Sequence, residues 1–159
     1  MKNIVLTRID DRLIHGQVVT AWVKQFKVNR IMIVDDPLIK DAFMMKILKA
    51  AAPPQISVEV QSVVCAAEIL NGGPENGENI LILVKTPQAL ENLIASGVEI
   101  KRIILGGMGA KAGRKKFTKN VSASEDEIAC MKRIVEKGIE MQYQLVPDER
   151  PVNISKFID

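Results

Sequence analysis

Apolar positions follow two alternating rhythms along this chain. Runs of consecutive apolar residues at Ile4-Val5-Leu6, Ile31-Met32-Ile33-Val34, Ile80 to Val84 and Ile103-Ile104-Leu105 read as buried strands. Between them the spacing becomes helical. Ile14, Val18, Trp22 and Phe26, with Val19 and Val23 beside them, predict a helix from His15 to about Phe26. Asp36-Pro37 reads as an N-cap with proline at the first helical position, opening a helix that turns Phe43, Met44, Ile47, Leu48 and Ala51 inward until Pro53-Pro54 stops it. Ile56, Val58 and Val60 alternate with polar residues, as a half-exposed edge strand would.

The second half repeats the scheme. Ser62 caps a short helix through Leu70, and the stretch from Asn71 to Pro74 breaks it. Thr86-Pro87 opens a helix with Leu90, Leu93 and Ile94 inward, ended by Gly97. A brief extended piece surrounds Val121. Ser124-Glu125-Asp126-Glu127 has the form of a capping box, and its helix buries Ile128, Met131, Ile134 and Val135 before Gly138. Met141, Tyr143 and Leu145 alternate along a last strand, and an irregular tail starts at Pro147. Strands separated by helices predict an α/β fold: a single domain over 1–159 with a mainly parallel central sheet and helices on both faces.

Composition narrows the class. Apolar residues make up 47% and aromatics 4%, so the core is aliphatic. No apolar run approaches the roughly 18 residues of a membrane span, and Met1-Lys2 leads straight into a strand-like run, which predicts a cytoplasmic chain without a signal peptide. Cys65 and Cys130 lie in predicted helices without CxxC spacing, as reduced and mostly buried thiols. A net charge of +3 is too mild to argue for nucleic acid. The local basic stretch of Lys111, Arg114, Lys115, Lys116 and Lys119 is either a solvated loop or a surface for an anion or acidic partner.

The densest chemistry surrounds the one histidine, His15, within Arg8-Ile9-Asp10-Asp11-Arg12-Leu13-Ile14-His15-Gly16-Gln17. In parallel sheets ligands gather at the carboxyl ends of strands. Two loops have that placement, Arg8 to His15 and Gly106 to Lys119, and they meet at one rim if both preceding strands are central. A helix starting beside His15 leaves the N–H groups of Gly16, Gln17 and Val18 free to bind an anion. Gly16 lets backbone approach a phosphoryl oxygen. Arg8 and Arg12 supply planar charged donors, and Asp10 or Asp11 can fix the imidazole tautomer. Against this stands the plainer reading of a capping histidine in a salt-bridged surface loop. Trp22 and Tyr143 read as core or rim residues.

Other chemistries fit poorly. Gly107-Met108-Gly109-Ala110-Lys111-Ala112-Gly113 has a last interval one residue too long for a dinucleotide fingerprint and follows a late strand. The sequence has neither a P-loop nor a G-x-S-x-G elbow, and one histidine with Asp10-Asp11 is a weak metal set, so no metal is expected.

The run from Arg8 to Val18, followed by Trp22 and Ile33-Val34-Asp35-Asp36, resembles the IIB component of the mannose/fructose/sorbose family of the bacterial sugar phosphotransferase system. The similarity continues through Ala52-Pro53-Pro54, Gly97-Val98, Gly106-Gly107-Met108 and Asn120-Val121-Ser122, covering essentially the whole chain. It implies a cytoplasmic carrier whose His15 accepts a phosphoryl group from the phosphohistidine of a IIA protein. The group passes to a sugar imported by membrane IIC and IID subunits, which would hold the carrier at the inner face of the plasma membrane. Arg8 and Arg12 then stand beside the phosphoryl oxygens, with Gly107 and Lys111 on a second loop. No cofactor is needed, because the energy resides in the phospho-imidazole bond. A phosphorylation-dependent regulatory module that moves no sugar is the alternative. The sequence leaves the sugar, and whether the chain forms a homo-oligomer, open.

Overall fold

The computed structural model describes residues 1–158, without the side chains of Gln17 and Val18. In chain order the elements are β1 (Ile4–Asp10), α1 (Gly16–Phe26), β2 (Arg30–Val34), α2 (Ala42–Ala51), β3 (Ser57–Gln61), α3 (Val63–Leu70) and β4 (Ile80–Val84). They continue with α4 (Pro87–Ala95), β5 (Arg102–Gly107), β6 (Lys115–Thr118), β7 (Val121–Ala123), α5 (Glu125–Glu136), β8 (Glu140–Tyr143) and β9 (Val152–Asn153).

The sheet runs in the order β3-β2-β4-β1-β5-β8-β9, parallel except for β9. Alternation along β4 shows why both faces need cover. Ile80, Ile82 and Val84 join the cluster under α3, α4 and α5, while Leu81 and Leu83 join the one under α1 and α2. The expected α/β sheet with helices on both faces is what forms. Among the described residues no helix is long and apolar enough to cross a membrane.

Several local expectations need correction. The first strand does not stop at Leu6 but runs to Asp10, because Arg8 and Asp10 are buried against each other. Asp36-Pro37 opens only a 3-10 turn, Pro37–Lys40, and α2 starts anew at Asp41, whose carboxylate accepts from Met44 N. That shift rotates the helix. Leu48 is buried, whereas Phe43 is 72% exposed and Ile47 43%. Cys65 is exposed and only Cys130 buried, because α3 turns its Ala66, Ala67 and Leu70 face to the sheet. The piece around Val121 is half of a β6–β7 hairpin. The tail returns as β9 along the β8 edge.

The capping box of α5 forms as predicted: Ser124 Oγ accepts from Glu127 N, and Glu127 Oε1 accepts from Ser124 N. This helix start becomes an anchor for the site.

Candidate functional site

β1 and β5 are neighbours in the centre of the sheet, with Asp10 opposite Gly107. The two loops therefore meet at the carboxyl rim, joined by the bond from Asp11 N to the Gly107 carbonyl. β1 leads into α1 on one face and β5 leads toward α5 on the other. The rim is thus a switch point of the kind where α/β sheets bind ligands.

Asp10 is the hub. It is fully buried, and both oxygens are occupied by arginine. Arg12 donates through Nε to Oδ1 (3.0 Å) and through Nη2 to Oδ2 (3.0 Å), and its backbone N–H also reaches Oδ1 (3.1 Å). Arg8 Nη2 approaches Oδ2 at 3.4 Å. His15 Nε2 lies 3.9 Å from the same Oδ2. Two cations thus offset one carboxylate directly behind the imidazole.

The two arginines are not equivalent. Arg8 was expected on the loop beside a phosphoryl group, but it lies inside β1 and is 1% exposed. Its Nη1 donates to the Gln144 carbonyl (2.9 Å) and its Nη2 to the Leu145 carbonyl (2.9 Å). The guanidinium stacks over the buried Trp22 ring, 5.1 Å from its centroid, and Trp22 Nε1 also donates to Leu145 O. Burial pulls Arg8 down to about 10 while Asp10 pushes back, so it remains a cation at neutral pH. Such a group supports Asp10 from below and cannot reach a ligand at the rim. Arg12 is different. Its side chain is 48% exposed, and the hydrogen bonds to Asp10 hold its guanidinium above the ordinary value despite some burial. Among the described residues no hydrogen bond engages its Nη1.

His15 stands where α1 begins, in extended conformation, and its side chain caps nothing. The ring is 23% exposed, with Nε2 on its buried side. Nδ1 lies 3.0 Å from the Leu13 carbonyl, which can only accept, so Nδ1 carries the proton in this arrangement. Nε2 is buried facing Asp10 without a hydrogen bond. Leu13 adopts a left-handed φ of 57°, strained for a branched residue, and Gly16 has φ 46° where glycine is at ease. His15 does not cap the first turn of α1, whose opening N–H groups have no acceptor within the helix. The backbone of Gln17 and Val18 lies in this turn; their side chains lie outside the described residues.

The second loop contributes differently from expectation. Gly106 and Gly107 make room for arginine: a Cβ at Gly106 would collide with the Arg8 guanidinium, and one at Gly107 would sit 3.0 Å from Arg12 Nη2. Asp11 does not face the imidazole. Its Oδ2 accepts from Gly109 N (2.7 Å) and from Arg114 Nη1 (3.2 Å). Lys111 is exposed, and with Lys85, Asp35 and Thr86 it lines an adjoining crevice of about 490 Å³. Arg114, expected in a solvated or anion-binding basic stretch, is buried with its charge already paired. Sequence reading placed Gly106 on the second loop but missed that it makes room for Arg8, and it missed the Gln144-Leu145 carbonyls and the Arg114–Glu127 pair. The adjacent glycines before Met108 were a signal for close approach, whereas nothing local marks residues 144 and 145 as acceptors.

Residues 4–159 match the model of the sorbose subfamily IIB component of the PTS system. The chain is 33% identical over 149 residues to the fructose-specific EIIB component of Bacillus subtilis, covering 94% of this chain and 91% of that one. It is 34% identical over 155 residues to the mannose-specific EIIAB component of Escherichia coli K12, covering 98% of this chain and 48% of that one. The IIBSor domain of the sorbose permease from Klebsiella pneumoniae superposes with a TM-score of 0.94 at 33% identity, over 98% of this chain and 96% of that chain. A phosphotransferase-system IIB component takes part in phosphoryl transfer for sugar uptake, and this chain belongs to the sorbose subfamily of those components.

Proposed function

We propose that residues 1–159 act as one IIB domain, a carrier that takes a phosphoryl group onto His15 from the phosphohistidine of a IIA protein. It then delivers the group to a sugar entering through membrane IIC and IID subunits. The observation that carries this reading is the partly exposed His15 ring whose Nε2 lies 3.9 Å from the buried Asp10 carboxylate, the same oxygen that the exposed Arg12 guanidinium grips, at the rim where β1 meets α1. The relatives named above for fructose, mannose and sorbose lie at similar distance from this chain, so the sugar stays unassigned. The EIIAB name of the mannose relative supports a IIA protein as donor.

The chemistry asks little of covalent catalysis. A phosphoryl transition state needs in-line positioning and charge stabilisation. Nδ1 is the reacting atom we favour, since Nε2 is buried against Asp10 and Nδ1 is held only by the Leu13 carbonyl. Its attack requires that contact to open and the ring proton to sit on Nε2. The N–P bond to the donor then breaks as the N–P bond to His15 forms, and each ring keeps its remaining N–H. The His15 ring gains positive charge, which Asp10 offsets from 3.9 Å. Arg12 and the backbone N–H groups of Gly16, Gln17 and Val18 receive the phosphoryl oxygens. Lys111 is assigned to docking or steering at the crevice, and Arg8 and Gly107 to holding the Asp10–Arg12 pair.

The test is incubation with phosphorylated IIA. The chain should gain an acid-labile, base-stable phosphate on His15 and lose it when membranes bearing IIC and IID are added with sugar. A label retained under those conditions assigns the regulatory role instead, and no label at all ends the proposal.

A further inference from the structure

The Arg114 side chain is 2% exposed, yet no part of its guanidinium is idle. Nε and Nη2 donate to Glu127 Oε1 and Oε2 at 2.9 and 2.8 Å. Nη1 donates to Asp11 Oδ2 at 3.2 Å and to the Gly109 carbonyl at 2.9 Å. Glu127 is fixed in turn by the capping box of α5. One guanidinium therefore ties a rigid helix start to the residue preceding Arg12.

Asp11 is a problem that this contact solves. A phosphoryl group on His15 carries close to two negative charges. Asp10 already stands behind the ring, answered by Arg8 and Arg12. Asp11 brings a second carboxylate to the same rim, 24% exposed and one residue from Arg12. Left alone, it would repel the arriving group and compete with it for Arg12.

We propose that Arg114 is a positioning residue for phosphoryl transfer: it neutralises Asp11 and pins it against Gly109, so that Arg12 faces the phosphoryl group alone. The inference rests on the reading of His15 as phosphoryl acceptor. It goes beyond holding the β6–β7 hairpin, because it makes the negative charge of Asp11 the quantity that Arg114 controls.

The experiment measures single-turnover labelling of the full chain by phosphorylated IIA. Arg114→Gln is combined with Glu127→Gln, so that no buried carboxylate loses its partner. This pair of substitutions should slow labelling about tenfold, as an uncompensated charge at this range would. Adding Asp11→Asn should restore most of the rate. A purely structural tether predicts no rescue, since the bridge to α5 stays broken. Should the paired variant fail to fold, Arg114→Lys takes its place: it keeps the cation without the two-armed bridge, so labelling should stay near the wild-type rate, whereas a mere tether predicts slowing. Wild-type labelling together with an unslowed paired variant, with slowing that Asp11→Asn leaves in place, or with a slowed Arg114→Lys overturns the inference alone. Failure of the wild type to label overturns the parent reading instead.

Discussion

The Arg8 guanidinium lies across Gly106, in the space that any side chain there would need. Gly106→Ala forces Arg8 away from the carbonyls of Gln144 and Leu145, or β5 away from β1. Overpacking of this kind costs about 1–3 kcal/mol. Gly109→Ala is the control: its Cβ would meet Asp11 Oδ2 at an ordinary 3.6 Å. Urea titration of both variants should show a clear loss of midpoint for the first and little for the second.

Arg8→Met removes one of the two cations on Asp10, takes the guanidinium donor from the Gln144 carbonyl and leaves the Leu145 carbonyl with Trp22 Nε1 alone. Breaking a buried pair in this way costs about 3–5 kcal/mol. Equilibrium unfolding should register the whole effect. Arg12→Ala should cost less, because its side chain is 48% exposed and Arg8 and the residue-12 backbone N–H still hold Asp10.

Phosphoryl transfer should reverse that ranking. Arg12→Ala is expected to slow labelling of His15 about 10²–10³-fold, the usual cost of losing one donor to developing charge. His15→Ala should abolish labelling and leave the thermal melt close to wild type, since the ring is partly exposed and bonded only to Leu13. Rapid-quench kinetics and a melting curve on the same samples separate the two residues from Arg8.

The Arg114–Glu127 pair should make stability depend on acid. Burial alone raises the Glu127 carboxyl, but Arg114 and the Ser124 bonds outweigh it and hold it below the ordinary value of 4.5. The native state therefore binds the proton less readily than the unfolded chain. The resulting stabilisation is complete above pH 4.5 and fades as pH falls through the depressed folded value. Glu127→Gln should cost stability at neutral pH, and its deficit against wild type should shrink between about pH 5 and pH 3. Urea midpoints across that range provide the measurement; a constant deficit would show that the pair carries no linked proton.

Much of this molecule was legible before any coordinates. Continuous apolar runs placed the central strands, Ser62 and Ser124 marked helix starts, and the signature around His15 marked the rim. Errors arose where distant residues overrule local pattern. Arg8 and Asp10 look like loop residues because each alone is costly to bury; together, under the carbonyls of residues 144 and 145, they extend a strand. Phe43 and Ile47 fit a buried stripe, but Asp41 rather than Asp36 sets the helical phase. Asp10 and Asp11 are adjacent and chemically identical. β1 ends at Asp10, which faces the imidazole, and the turn that follows leaves Asp11 to Arg114.

The meeting of Arg8 and Trp22 on the carbonyls of Gln144 and Leu145 ties the support beneath Asp10 to a segment remote in sequence. A substitution or cleavage that displaces residues 144 and 145 takes acceptors away from a desolvated guanidinium, so damage beyond the end of β8 is expected to reach the rim.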